Sequence, residues 1–216
     1  GTFQHSMQVA NLAEEAIMKV GGNSLLVRAG ALYHDIGKME NPEYYIENQH
    51  EGINPHDELD FRSSAQVIID HVVLGVEIGK KHKLPRKILE FISTHHGTST
   101  VQYFYRSFIH ANPDEEVDIS EFTYPGPKPT AKEHAILMMA DSVEAASRTL
   151  KAYTPGTISD LVEGIVKHQA DEAQFSEAEL TYADISIAKE IFKNRLSNIY
   201  HSRIEYPEEV STQSVQ

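Results

Sequence analysis

Asn23-Ser24-Leu25-Leu26-Val27-Arg28-Ala29-Gly30-Ala31-Leu32-Tyr33-His34-Asp35-Ile36-Gly37-Lys38 is the stretch on which the fold class turns. Asn23 can cap a helix with its side-chain oxygen. Leu26, Ala29, Leu32, Tyr33 and Ile36 recur at helical spacing, and Gly37 is a natural stop. Two polar neighbours, His34 and Asp35, stand at the end of this amphipathic segment; as a lone dipeptide they carry no significance.

The same periodicity continues in both directions. Residues 6–20 place Val9, Leu12, Ala13, Ala16 and Ile17 on one stripe, ended by Gly21-Gly22. Residues 40–62, with Asn41-Pro42, Gly52 and Asn54-Pro55, read as a long loop. A helix from Ser63 or Ser64 to about Lys81 carries Val67, Ile68, His71, Val72 and Gly75 near one face. Pro85 opens another, with Ile88, Phe91 and Ile92, that ends near His95. Residues 97–129 read as irregular, with room for a short hairpin. They hold Tyr103, Phe104, Tyr105, an acidic patch from Asp114 to Glu121, and the stiff run Tyr124-Pro125-Gly126-Pro127-Lys128-Pro129. Thr130 with Glu133 is a capping-box pattern before an apolar helix to about Leu150. Thr157 to Gln169 reads as a helix. Thr181 with Asp184 caps a last one, striped by Ile185, Ala188, Ile191, Phe192, Leu196 and Ile199. The predicted class is all-α, a multi-helix bundle with long loops.

Composition narrows the chemistry. The 216 residues suit one domain. Without cysteine there are no disulfides, Cys-ligated zinc or thiol nucleophiles. A formal charge of −13 repels a polyanion and argues against polymeric nucleic acid as a partner. The basic run Lys80, Lys81, His82, Lys83, Arg86, Lys87 is the exception, either a solvated helix end or a face for anionic lipid. No stretch approaches 18 consecutive apolar residues. The chain opens at Gly1 inside helical sequence, so it reads as a piece of a longer protein.

Twelve histidines are many for this length. Seven residues at five places look like ligands: His5, His34 with Asp35, His71, His95 with His96, and Asp141. A His on an apolar stripe, such as His71, is ordinarily a core residue with satisfied nitrogens. His95-His96 could simply sit well on a helix dipole. Asp141 is harder to dismiss, because a carboxylate after the run Ala135 to Ala140 costs several kcal/mol, to order of magnitude, unless paired, protonated or metal-bound. Five imidazoles and two carboxylates together suit two borderline-hard transition metals. Adjacent residues on a helix diverge by about 100°. Each adjacent pair can then address one metal, or Asp35 can bridge both. His50, His56, His82, His110, His134, His168 and His201 read as non-ligands.

In the order His5, His34-Asp35, His71, His95-His96, Asp141, the chain resembles the HD-domain phosphohydrolases of the two-metal branch. Ala31 to Lys38, Asn41-Pro42, Glu47-Asn48-Gln49, Asn54-Pro55-His56-Asp57, Tyr124 to Pro129, Ala140 to Arg148 and the ending His201 to Pro207 narrow the resemblance. They are similar to the cytosolic HD domain of the seven-transmembrane-receptor HD hydrolases, the PgpH-type cyclic di-AMP phosphodiesterases. Gly97-Thr98-Ser99 departs from the Gly-Tyr-Pro signature of the cyclic di-GMP branch. The resemblance implies an HD domain over 1–207 and a disordered tail over 208–216. It implies one ion on His5, His34, Asp35 and Asp141, and a second on His71, His95, His96 and bridging Asp35. The ions would be iron or manganese. The product would be the linear dinucleotide pApA, formed by attack of water activated between the metals. The parent protein would be membrane-embedded, with this domain on the cytoplasmic face and a homodimer as one arrangement. Lys38 would approach a phosphate oxygen or else cap a helix end; Arg148 would meet the second phosphate or else pair with a buried acid. Thr98, Tyr103 and Tyr105 would line a base pocket or else pack a loop. The alternatives are another substrate for the same chemistry (cyclic di-GMP, a dinucleoside polyphosphate or a short oligonucleotide) and a nucleotide-binding sensory module with little turnover.

Overall fold

The structure, a computed structural model, describes residues 1–49 and 53–201; His50, the side chain of His201, the ending from Ser202 and the tail 208–216 lie outside the described residues. Eight α-helices follow one another among those residues: α1 (Thr2–Val20), α2 (Ser24–Tyr33), α3 (Phe61–Lys81), α4 (Arg86–Thr94), α5 (Gln102–Ala111), α6 (Lys132–Ser147), α7 (Pro155–Asp171) and α8 (Tyr182–His201). The all-α class holds. The hairpin considered for 97–129 reduces, among the described residues, to one antiparallel bridge between Thr100 and Thr123. The segment is also not irregular throughout. Phe104 and Phe108, four apart on α5, bury with Phe122 and Ala65 in a small second core, and that packing is enough to make the helix.

The main core is built around α6. Every residue from His134 to Asp141 is buried, and a helix apolar on all sides must be surrounded. Helices α1, α2, α4, α7 and α8 all pack on it. The stripe of α1 is buried as the spacing predicts, and so are Ala188, Phe192 and Leu196 of α8. No helix among the described residues is long and apolar enough to cross a membrane.

The deciding stretch folds as a helix, but its buried face is rotated from the expected one. Asn23 caps α2 by accepting from the Leu26 N–H at 3.0 Å. The face turned inward is Val27, Gly30, Ala31 and then His34, because small residues admit α1 and the Phe91 ring. A Cβ on Gly30 would lie 2.4 Å from that ring. Leu32 and Tyr33 instead border an apolar cavity of about 410 Å³ with Phe3, Ile36, Met39 and Asp35. Gly37 is not the stop either. The helix ends at Tyr33, Ile36–Met39 forms a 3-10 turn, and Gly37 crosses α3 so closely that a Cβ would sit 1.8 Å from the His71 carbonyl oxygen and 2.6 Å from the Gly75 nitrogen.

Helix starts depart from expectation in three places. Asp60, not Ser63 or Ser64, caps α3, taking both the N–H (2.8 Å) and the hydroxyl (2.9 Å) of Ser63. Glu133 does not close a box on Thr130, because it accepts from the Asn23 N–H at 3.0 Å and ties α6 to the α1–α2 junction. Thr157 is the third residue of α7 and closes a reciprocal cap with Thr154. The pair Thr181 and Asp184 caps α8 reciprocally, as expected (2.9 and 3.1 Å). The long loop is partly ordered into 3-10 turns at Pro42–Tyr44, Ile46–Asn48 and Pro55–Glu58. It is pinned by the Tyr45 hydroxyl donating to the Val67 carbonyl (3.2 Å) and by the Asn48 amide donating to the Thr2 hydroxyl (2.8 Å).

Candidate metal centre

Each of the seven residues is delivered by a helix or its end. His5 lies in the first turn of α1. His34 closes α2 and Asp35 follows it. His71 is mid-α3 where the Gly37 turn crosses. His95 and His96 follow α4, and Asp141 is on the central α6. The structure brings all seven together. All but His96 are buried, and His96 keeps 23 % of its side chain exposed.

The geometry divides them into two trios, His5-His34-Asp35 and His71-His95-His96, each with ligand atoms within 4.8 Å of one another. Either trio could hold a metal ion. Asp35 faces both: Oδ2 lies 3.5 and 3.4 Å from the Nε2 atoms of His5 and His34, and Oδ1 lies 3.4 and 3.6 Å from those of His71 and His95. Asp141 joins the first trio, its Oδ1 2.9 Å from His5 Nε2 and 3.5 Å from His34 Nε2; its Oδ2 reaches toward His96 Nδ1 at 3.9 Å.

Ring orientation is fixed from behind. The Nδ1–H groups of His34, His71 and His95 each donate to the carbonyl three residues back, at Ala31 (2.7 Å), Ile68 (2.5 Å) and Ile92 (2.8 Å). A carbonyl only accepts, so in the neutral ring the Nε2 lone pair points at the centre, the tautomer that a metal needs. His71 Nε2 and His95 Nε2 then confront each other at 3.0 Å, an arrangement that a shared cation, proton or metal, reconciles. His34 Nε2 is buried without a hydrogen-bond partner, and Asp35 Oδ2 beside it is met by the Lys38 ammonium at 2.7 Å. An orphaned buried nitrogen costs free energy unless an ion completes it, and imidazole with carboxylate is a donor set for transition metals. The residues fit the group.

Charge is distributed unevenly. Burial lowers the His5 pKa, but hydrogen bonds with Asp141 and Glu144 and the Asp141 and Asp35 charges outweigh it and raise it to about 10. His34 is also raised: burial works against it, but Asp35 and Asp141 prevail. Burial raises the carboxyls of Asp35 and Asp141, yet the surrounding cations hold both well below the usual range, His34 and Lys38 for Asp35 and His34 and His5 for Asp141. His95 is pushed down by burial and by His96, and burial pushes His96 to about 3 against the pull of Asp141. The first trio thus holds protons in the metal-free protein and part of the second does not. Metal entry at the first trio is therefore expected to release protons. Calorimetric titration in two buffers of different ionisation enthalpy measures the number, and a value near zero at pH 7 is the contrary result. A group with a folded pKa above its ordinary 6.5 stabilises fully below that pH and ceases to do so through about 10. The metal-free chain is therefore expected to lose stability between those pH values, read as a falling urea midpoint. Asp35 and Asp141, with lowered pKa values, stabilise above the ordinary carboxyl range and fail in acid.

Several neighbours carry no motif of their own. Lys38 is not a solvated cap: its Nζ lies 2.7 Å from Asp35 Oδ2 and 2.9 Å from Glu47 Oε1. Those two carboxylates raise its pKa above the ordinary lysine value although burial lowers it. Arg148 pairs with Glu144, as its second reading had it, through Nε at 3.0 Å and Nη2 at 2.6 Å. Both cations border a small cleft of about 110 Å³ with His5, Ile46, Glu47, His96, Asp141 and Ala145. Tyr124 stacks on His96 with centroids 4.3 Å apart. Glu144 was legible in part, three residues after Asp141 and four before Arg148, whereas Glu47 and Tyr124 depend on loop paths that spacing does not encode. Tyr103 borders a cavity of about 440 Å³ with Tyr44, Tyr45, Glu47 and His56 among others. Tyr105 packs on Phe122 in the small core, in keeping with the second of its two readings. Thr98 directs its N–H (3.0 Å) and hydroxyl (3.4 Å) to Gln174 Oε1. His56, rejected as a ligand, meets the Tyr44 carbonyl at 2.9 Å.

Comparison with known proteins gives this arrangement relatives. The chain is 44 % identical over 209 residues to the cyclic-di-AMP phosphodiesterase PgpH of Listeria monocytogenes, covering 97 % of this chain and 29 % of that protein. It is 43 % identical over 208 residues to the protein of that name from Bacillus subtilis, covering 96 % and 29 %. The chain therefore spans under a third of the length of those curated relatives. The crystal structure of the L. monocytogenes PgpH HD domain in complex with cyclic-di-AMP superposes with a TM-score of 0.89 at 44 % identity, covering 93 % of this chain and 92 % of that one. The HD domain family model matches residues 2–146, from the helix of His5 through the helix of Asp141. That span takes in all seven clustered residues, and with it the chain belongs to the HD-domain family.

Proposed function

We propose that this chain is a phosphodiesterase domain that hydrolyses cyclic di-AMP to linear pApA with two transition-metal ions, iron or manganese. His5, His34, Asp35 and Asp141 would hold one ion; His71, His95, His96 and the other oxygen of Asp35 would hold the second. The observation that carries the reading is Asp35, with one carboxylate oxygen turned to each trio. The substrate reading rests on relatives named as cyclic-di-AMP phosphodiesterases and on a similar HD domain solved with that dinucleotide.

When bound, a metal pair supplies charge for the phosphate and lowers the pKa of an attacking water. The protein's own groups do the rest. Asp35 and Asp141 are ionised and ready to ligate. Lys38, held between Asp35 and Glu47, keeps its proton and offers a cation at the cleft wall to a phosphate oxygen. Arg148, paired with Glu144, brings a second cation to the same cleft. Tyr103, beside the larger cavity, presents an aromatic face on which adenine can stack. In the parent protein we place this domain on the cytoplasmic face of a bacterial membrane, a reading that rests on the motif resemblance to the seven-transmembrane-receptor HD hydrolases.

The test is incubation of metal-loaded protein with cyclic di-AMP and cyclic di-GMP in parallel, followed by chromatography. Linear pApA is the expected product, with little conversion of the guanine compound. Equal conversion of both overturns the substrate assignment, and tight binding without hydrolysis in Mn²⁺ or Fe²⁺ makes the domain a sensor.

A further inference from the structure

The rings of His34, His71 and His95 are all backed by neutral backbone carbonyls, whereas His5 is backed by a side chain. Its Nδ1 lies 2.5 Å from Glu144 Oε2, in a buried contact. The other oxygen of that carboxylate, Oε1, receives Nε and Nη2 of Arg148 at 3.0 and 2.6 Å. Asp141 and Glu144 of α6 and Arg148, the residue that caps its C-terminus, fall at spacings of three and four, along one face of the helix. A single helix therefore supplies a candidate ligand, the anion that orients a second ligand on another helix, and the cation that fixes that anion.

Resting on the two-ion reading above, we propose that Glu144 is a positioning residue for His5, clamped by Arg148, and that it strengthens the hold of the His5 side of the centre on its ion. An ionised acceptor behind an imidazole strengthens it as a donor more than a carbonyl does, because the hydrogen bond is charge-assisted. The His71, His95 and His96 side has no such carboxylate behind its rings in the contacts described: His71 and His95 lean on carbonyls and His96 stacks on Tyr124. The two ion sites would thus be unequal by construction, through a residue that ligates neither.

The test is titration of the metal-free chain with Co²⁺, followed by visible absorption and by metal stoichiometry. It uses wild type, Glu144→Gln and Arg148→Gln, each also on a His71→Ala background that leaves only the His5 side. Glu144→Gln is expected to weaken the His5-side ion by about 10- to 100-fold and to leave the other affinity unchanged. Arg148→Gln is expected to move the same site in the same direction by less, and carries the test should Glu144→Gln fail to fold. Equal weakening at both sites marks a general structural effect and overturns the proposal, as does an unchanged affinity in both variants. A wild-type chain that takes no ion on the His5 side overturns the two-ion reading and this inference together. Two ions in wild type with no change in the variants overturns only the role of Glu144.

Discussion

Replacing Asp35 by Ala is expected to abolish turnover, by about 10⁴-fold or more, equivalent to roughly 5 kcal/mol of lost transition-state stabilisation. Bound metal should fall below one equivalent. Among the described residues of the centre, this carboxylate alone sets one oxygen within 3.6 Å of nitrogens of the first trio and the other within 3.6 Å of nitrogens of the second. Its removal also strips Lys38 of one of two anions. A buried ammonium left with Glu47 alone repels an incoming cation, so the loss compounds. Folding should survive, because α2 is held to its neighbours by Val27, Gly30 and Ala31 rather than by Asp35. Circular dichroism with elemental analysis separates the two effects. Asp35→Asn keeps the volume and removes the charge. If it retained two equivalents of metal and activity within tenfold of wild type, the bridging role would be wrong.

Gly37→Ala is the second large effect expected. An added methyl would meet the His71 carbonyl oxygen at 1.8 Å and the Gly75 nitrogen at 2.6 Å, both backbone atoms of α3 that cannot swing aside. Either the 3-10 turn or α3 must move. Overpacking of this kind costs about 1–3 kcal/mol and occasionally more, and the upper end is expected here. In a chain of this length that corresponds to a fall of roughly 6–12 °C in melting temperature. The displacement separates Asp35 from His71, so metal binding should weaken as well, unlike the result of a remote destabilising change. Thermal melts of the metal-free variant, set beside its metal stoichiometry, measure both. A melting temperature within 2 °C of wild type would show that the turn has room the packing denies.

Much of this molecule can be read from spacing alone, and the residues that escape have identifiable reasons. The α1 and α6 faces follow from apolar periodicity, since one packs a stripe and the other is engulfed. The seven clustered residues stand out because imidazoles and a carboxylate recur where apolar side chains are due. Periodicity failed for α2, where it weighted Leu32 and Tyr33 by hydrophobicity. The true face is chosen by size, through Gly30 and Ala31. It failed again for α5, whose order comes from packing on Phe122, more than ten residues away. Glu47 reaches Lys38 only through the course of a loop, and no local pattern carries that. The convergence of the seven needed coordinates, because spacing fixes which face a side chain occupies on its own helix and nothing about the next helix.

The three carbonyl-backed rings have a consequence for tolerance to mutation. His34, His71 and His95 take their orientation from peptide groups of their own helices, and every amino acid at positions 31, 68 and 92 supplies the same carbonyl. Neighbouring side chains can therefore drift without disturbing where these imidazoles aim. Heritable variation around that half of the centre is buffered by the main chain itself, while the His5 corner depends on the identity of two specific side chains and has no such insurance.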